Sequence, residues 1–222
     1  MRKSSDKKYA NDVNVSALEL IPADALNVLD VGCGTGTNAA YLKDQGKHID
    51  GITLSEDEAA ECRKTMDSVW VHNLEGGLPA ETCEGRKYDA VLCSHVLEHI
   101  AYPEKLLSDI KSVLNENGAL VVALPNVMHY RSRWQLFRGN FPFRDSGIWD
   151  YTHLRWYTFK SAQEMLSRNG FEVTSTRWHV LLPFGRITRH LPGGLRKGLE
   201  GFLAFLSKGL FSGQMLFQVK VK

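Results

Sequence analysis

The sequence is poor in the residues that staple or clip a fold together. It has four cysteines, Cys33, Cys62, Cys83 and Cys93, with no Cys-x-x-Cys pair and no zinc-ligand spacing. This argues against a disulfide framework or a structural zinc site, and the thiols are expected to be reduced, as in a cytoplasmic protein. No run approaches the roughly 18 consecutive apolar residues of a spanning helix. The first residues, MRKSSDKKYANDV, lack the apolar core of a secretory signal. There is no internal repeat and no low-complexity tract.

What is present is the composition of a folded soluble domain: 43% hydrophobic, 10% aromatic and 23% charged residues in a chain of 222. That length predicts one domain spanning 1–222 rather than two. The net charge of +2 conceals an asymmetry. Residues 1–126 hold 12 Lys+Arg against 20 Asp+Glu, and residues 127–222 hold 15 against 5, so the halves stand at −8 and +10. A basic second half suits an anionic small molecule, a nucleic acid or a membrane surface; it equally suits two oppositely charged halves that attract each other within one domain.

Short apolar runs alternate with segments of helical period. LNVLDV (26–31), HIDGITL (48–54), VWVHNL (69–74), YDAVLCS (88–94) and GALVVALP (118–125) read as strands buried on both faces. Helices are predicted between them. Ser55 and Glu58 form the pattern of a capping box, and Gly46 and Gly118 stand as helix stops. This βα alternation predicts a doubly wound, mostly parallel α/β sheet. After Pro125 the period is lost. Residues 126–159 are rich in aromatics and arginine, too long for a simple connection, and are expected to form a substrate-binding cap. A helix over 161–169, a strand over 171–180, a helix near 194–208 and a final strand MLFQVKV follow; the last two strands are expected to pair antiparallel at one edge of the sheet.

Strand one runs directly into Asp30-Val31-Gly32-Cys33-Gly34-Thr35-Gly36, and a helix begins at once. Glycines here permit a tight turn and close approach of a ligand to the backbone at the carboxyl edge of the sheet. The spacing is GxGxG rather than the GxGxxG of dinucleotide binders. Asp30 beside the loop suits a cationic ligand better than a diphosphate.

At these residues the chain resembles the class I S-adenosylmethionine-dependent methyltransferases, whose first motif VLDVGCGTG is matched without a gap by residues 28–36. The resemblance runs through strand five, roughly residues 26–124, and implies a Rossmann-like, seven-stranded sheet with an antiparallel edge strand. It also implies S-adenosylmethionine as donor and S-adenosylhomocysteine as product. Carried residue by residue, it places Asp30, Gly32, Cys33, Gly34 and Gly36 at the cofactor, with Thr53, Leu54 and Ser55 after strand two, Asn73 and Leu74 after strand three, and Ser94 and His95 after strand four. One departure stands out. The family has an acidic residue at the end of strand two to accept the ribose hydroxyls, and this chain has Thr53, which supplies no charge-assisted bond. The GITLS string there also resembles one in cyclopropane-fatty-acid-synthase relatives.

Methyl transfer from a sulfonium requires proximity, alignment and, for a hydroxyl or amine acceptor, a base; it requires no metal. His95, directly after strand four, is a candidate base by position. In SHVLEH (94–99) Glu98 and His99 are expected to brace the fold. The segment is also similar to ubiquinone-biosynthesis O-methyltransferases, for which a Glu-x-x-Glu-His metal arrangement is implied; here His95 occupies the first position, and no metal is expected. The segment ending DYTHLRWYT resembles a subgroup of these methyltransferases with a D-x-THLR-aromatic-aromatic-T string. There His153 is a second candidate base, with Asp150 to orient it. His129, Arg131, Arg133, Arg155 and Trp156 are candidates for holding the acceptor, the arginines as clamps for a phosphate or carboxylate.

The sequence thus predicts an enzyme, most simply an O-methyltransferase acting on a hydroxyl of a small polar acceptor, neutral or anionic, such as a sugar, glycoside or natural-product intermediate. The alternatives are a non-catalytic protein retaining the fold, or an N- or C-methyltransferase. No nucleic-acid recognition module is present. LRKGLEGFLAFLSKGLFSG suits a helix packed on the sheet, or one lying on a membrane surface. The acceptor, the methylated atom and the oligomeric state are not encoded in any motif.

Overall fold

A computed structural model describes residues 12–180, 182, 188 and 190–222. In chain order the elements are α1 (Val15–Leu18), β1 (Asn27–Val31), α2 (Thr37–Lys43), β2 (His48–Thr53), α3 (Glu56–Cys62), β3 (Ser68–Val71), α4 (Ala80–Cys83), β4 (Tyr88–Ser94), α5 (Pro103–Val113), β5 (Leu114–Pro125), α6 (Tyr130–Phe137), α7 (Phe159–Arg168), β6 (Phe171–Val180), α8 (Gly193–Phe211) and β7 (Ser212–Val221). Single 3-10 turns occupy Leu74–Gly76 and Leu97–His99. The seven strands form one sheet in the order β3-β2-β1-β4-β5-β7-β6. The pairs from β3 through β5 are parallel, and β7 runs antiparallel to both β5 and β6. The expected antiparallel pair is present at that edge.

Both faces of the central strands are covered, which is why these lack polar alternation, whereas the edge strand β6 alternates part-buried and exposed residues along much of its length. Leu29 and Val31, Val91 and Cys93, Leu120, Val122 and Leu124, and Met215, Phe217 and Val219 enter one core with α5 and α7. The intervening Val28, Ala90, Leu92, Val121, Ala123 and Leu216 enter a second core with α1 and α2. The two-residue period of a strand divides each continuous apolar run between them.

Three boundaries differ from expectation. Gly118 does not stop a helix: α5 ends at Val113, and Gly118 lies within β5, where an added Cβ would approach the Tyr88 carbonyl to 3.0 Å. The third strand ends at Val71, because Asn73 caps a 3-10 turn by accepting from Glu75 N–H at 3.1 Å. Between Pro125 and Phe159 the chain is not wholly irregular. His129 accepts from Arg131 N–H and opens α6, whose sequence YRSRWQLF carries too few apolar positions to show a helical period.

Candidate active site

In this strand order the chain reverses direction of winding between β1 and β4, and the carboxyl ends of these strands are where a doubly wound sheet binds its ligand. The glycine loop lies at this edge. Gly32, Gly34 and Gly36 all have positive φ, 75°, 54° and 80°, which only glycine adopts readily. Space is also limiting: a Cβ on Gly32 would lie 2.5 Å from Val96 Cγ2. The amides of Gly32 and Cys33 both donate to the Ile52 carbonyl, at 2.8 and 2.9 Å, so these two tie the loop to β2 rather than face a ligand. The Cys33 thiol is turned inward, 3.6 Å from Cys62 Sγ.

Asp30 is 1% exposed, and its Oδ2 has no hydrogen-bond partner. Burial pushes its carboxyl up to about 7, against a smaller opposing effect of the Asn38 side chain. A buried carboxyl oxygen left without a donor beside a glycine loop is the complement of a cationic ligand.

At the end of β2, Thr53 is buried and donates its hydroxyl proton to Glu58 Oε2. Glu58 therefore does not complete the capping box predicted with Ser55; only the Ser55 hydroxyl cap on Glu58 N–H forms, at 3.3 Å. A carboxylate from α3 thus lies directly against the hydroxyl at position 53. Leu54 is 40% exposed at this edge. After β3, Leu74 is buried in the core, and one lone pair of the Asn73 side-chain oxygen is occupied by its own turn.

His95 follows β4 with φ of 59°, the only described non-glycine residue with positive φ. Such backbone strain at a strand end is held by its surroundings. Its N–H donates to the Ala123 carbonyl, its Nδ1 lies 3.1 Å from Glu98 Oε1, and its Nε2 lies 2.8 Å from Gln214 Oε1. Burial alone would lower the pKa of His95, but the Glu98 bond and charge, with Gln214, carry it above the ordinary value. Burial likewise acts to raise Glu98, and the bond and charge of His95 with the charge of His99 bring it below the usual range. Glu98 is fully buried beneath a His95 ring that is itself 36% exposed. Gln214 in turn exchanges two bonds with Asn14, at 3.0 and 3.2 Å, and Asn14 donates to Ser94 Oγ at 3.0 Å.

Glu98 has a second role. Its backbone carbonyl accepts from Leu154 and Arg155 N–H, tethering the THLR segment to the end of β4. His153 is 7% exposed; its Nδ1 lies 3.1 Å from the Ile148 carbonyl, and its ring meets His99 edge-on at 4.7 Å. Burial lowers its pKa. Asp150 Oδ1 accepts from the Thr152 amide and hydroxyl, and that hydroxyl lies 3.1 Å from His99 Nδ1. The carboxylate expected to orient His153 thus reaches Thr152, and the Ile148 carbonyl sets the His153 ring. Glu98, His99 and His153, rather than His95 with its two neighbours, are the residues whose ligand atoms come within 4.8 Å of one another.

The remaining candidates divide. Arg155 closes on the Ala101 carbonyl through Nε and Nη2, which fixes the segment and removes it as a free clamp. His129 is 1% exposed, caps α6 and is held neutral, burial and then the Arg131 charge pushing it down to about 4. Arg131 and Arg133 are exposed; Arg131 donates to the Tyr130 hydroxyl and Arg133 to the Met128 carbonyl. Trp156 donates to the Ile148 carbonyl and packs on Phe141 at 5.1 Å. No motif assigns Asn14, Gln214 or Glu58 to the site. Glu58 sits in a legible pattern, whereas Asn14 and Gln214 have no local signal at all.

Comparison with known proteins agrees with this geometry. The family described as "Methyltransferase domain" matches residues 4–176. A ubiquinone biosynthesis O-methyltransferase of Chromobacterium violaceum is 28% identical over 130 residues, 52% of this chain and 53% of the relative. The mitochondrial enzyme of the same name from Candida albicans is 27% identical over 187 residues, 79% of this chain and 57% of the relative. The chain therefore spans little more than half the length of these relatives. Among solved structures, an S-adenosylmethionine-dependent methyltransferase from Archaeoglobus fulgidus superposes with a TM-score of 0.62 at 19% identity, over 94% of this chain and 93% of the other. One from Thermotoga maritima described as a possible histamine N-methyltransferase gives 0.63 at 18%, over 94% and 86%. Glycine loop, strand order and family match agree: the chain belongs to the class I S-adenosylmethionine-dependent methyltransferases.

Proposed function

We propose that the chain transfers a methyl group from S-adenosylmethionine to a hydroxyl of a small polar acceptor, such as a sugar, glycoside or natural-product intermediate. The observation that carries this reading is the His95–Glu98 pair at the carboxyl end of β4, beside a glycine loop and an orphaned Asp30 oxygen. The bound donor supplies a methyl group already activated on a sulfonium. The protein's task is to hold the two reactants in line and to take the acceptor's proton.

Asp30 offers a buried carboxyl to the donor's cationic groups. Thr53 gives its proton to Glu58, so its oxygen presents lone pairs to a ribose hydroxyl, sharpened by the carboxylate behind it. Glu98 fixes the His95 ring and favours the proton-bearing form at Nδ1, which leaves Nε2 to accept from a hydroxyl that displaces Gln214. Similarity to ubiquinone biosynthesis O-methyltransferases favours oxygen as the methylated atom.

Calorimetry tests the reading: both S-adenosylmethionine and S-adenosylhomocysteine should bind with micromolar affinity, and a folded protein that gives no heat with either would refute it. Turnover should be indifferent to EDTA, since the sulfonium is the electrophile. Loss of turnover restored by a divalent ion would instead assign Glu98, His99 and His153 to that ion. Mass spectrometry of copurifying small molecules identifies the acceptor.

A further inference from the structure

We propose that α8 and the exposed end of α6 dock this chain onto an anionic lipid bilayer, with the carboxyl edge of the sheet turned toward the membrane. This goes beyond the proposed reaction and does not depend on it. On α8, Leu203 faces the protein, while Leu195, Phe202, Phe205 and Leu206 stand 61%, 56%, 87% and 55% exposed. Their spacing of 7, then 3 and 4, puts them on one outward stripe, the face a solvated helix fills with polar residues. Exposed basic residues Arg196 and Lys197 accompany the stripe, and exposed Lys208 lies just past a break in the helix at Ser207. The helix has one acid, Glu200, and it pairs with Arg196 at 2.9 Å. Among the described residues, Lys197 and Lys208 have no acidic partner. The glycines Gly193, Gly194, Gly198, Gly201 and Gly209 are not demanded by close packing, since a Cβ on any of them would meet nothing within 4 Å. A glycine-rich helix with its apolar stripe in water gains most by laying that stripe on another phase.

α6 repeats the pattern. Trp134 and Phe137, stacked at 5.9 Å, are 56% and 83% exposed, among Arg131, Arg133 and Arg138. No acid occurs between Pro125 and Asp145. The roots of the two helices touch: the Tyr130 and Phe211 rings lie 6.1 Å apart, and Asn126 Nδ2 donates to the Gly209 carbonyl at 2.8 Å. α6 follows the end of β5 and α8 leads into β7 beside it, so both leave the edge at which His95 stands. Aromatic and leucine side chains interleaved with unopposed arginine and lysine match an interface of anionic headgroups over acyl chains. No helix among the described residues is long and apolar enough to cross a membrane, so the contact is peripheral.

The test is sedimentation of the full chain with phosphatidylcholine vesicles, with and without phosphatidylglycerol. Binding is expected only to the anionic vesicles and should weaken with salt. Phe202→Ser with Phe205→Ser should lower it about tenfold or more. Lys197→Gln with Lys208→Gln should lower it about 25-fold, each basic residue near the surface contributing about fivefold. Binding that ignores lipid charge or both variants overturns the proposal. So does a lipid-indifferent chain that forms dimers, by light scattering, which Phe202→Ser and Phe205→Ser dissolve; the stripe would then be covered by a second copy. The heat of S-adenosylhomocysteine binding, measured on the same samples, shows each variant folded. Its absence from wild type would count against the proposed reaction and leave the vesicle result standing.

Discussion

Asp30→Asn should make the protein more stable at pH 8 and a poorer binder of its methyl donor. In an unfolded chain an aspartate titrates near 3.9. In the folded chain burial holds Asp30 at about 7. Between these values the unfolded state gives up a proton that the folded state keeps, so stability falls as pH rises, by about 1.4 kcal/mol per unit. The cost is complete above pH 7 and amounts to about 4 kcal/mol, an order-of-magnitude figure for a group this buried. Asparagine has the same shape and no charge to desolvate. Urea denaturation at pH 5 and pH 8 should therefore show the variant gaining most at the higher pH. Donor binding should move the other way, weakening roughly 10- to 100-fold through loss of one buried charge-assisted contact. Wild-type affinity should also fall about tenfold per unit below pH 7, because binding requires an ionised carboxylate; the variant should lack that slope. Equal stability and equal affinity in the two proteins would show that Asp30 does not face the donor's charge.

His95→Asn should abolish most turnover while leaving donor affinity within a few-fold. Asparagine is chosen because it tolerates the left-handed backbone that His95 adopts and retains a donor for Glu98. Alanine would leave the buried Glu98 charge alone and confound activity with folding. Loss of a positioned base lowers kcat by about 10²–10⁴-fold. The pH profile carries the assignment further. Turnover needs unprotonated His95, so the rate should rise through a pKa above the ordinary histidine value of about 6.5. Glu98→Gln removes the carboxylate that raises that pKa and should move the midpoint down. A kcat unchanged in His95→Asn would transfer the base to another residue, His153 first.

Much of the fold was legible because a strand buried on both faces leaves a run such as YDAVLCS or GALVVALP that no surface element tolerates. The place of His95 was legible for the same reason: where such a run ends on a parallel strand, the next residue stands at the carboxyl edge of the sheet. What failed were competitions between neighbours. Ser55-x-x-Glu58 reads as a capping box, but a threonine hydroxyl buried five residues earlier captured the glutamate. Asp150 lies three residues from His153, yet the turn it occupies turns its side chain to Thr152. Arg155 was plausible as an acceptor clamp and is bound to a backbone carbonyl. Gln214 and Asn14 were out of reach altogether, since a contact between residues 200 positions apart leaves no local trace.

That last contact constrains the order in which the molecule can be made. β7 lies between β5 and β6, so β6 has no place in the sheet until the strand that follows it in the chain has been laid beside β5. Closing so long a loop is slow, and it is rewarded only when both strands are in register. The ring of His95 receives its second partner from this same strand. A nascent chain is therefore expected to form β1 to β5 as an early unit and to add β6 and β7 together, so that the hairpin and the last contact of the His95 ring are completed in a single event.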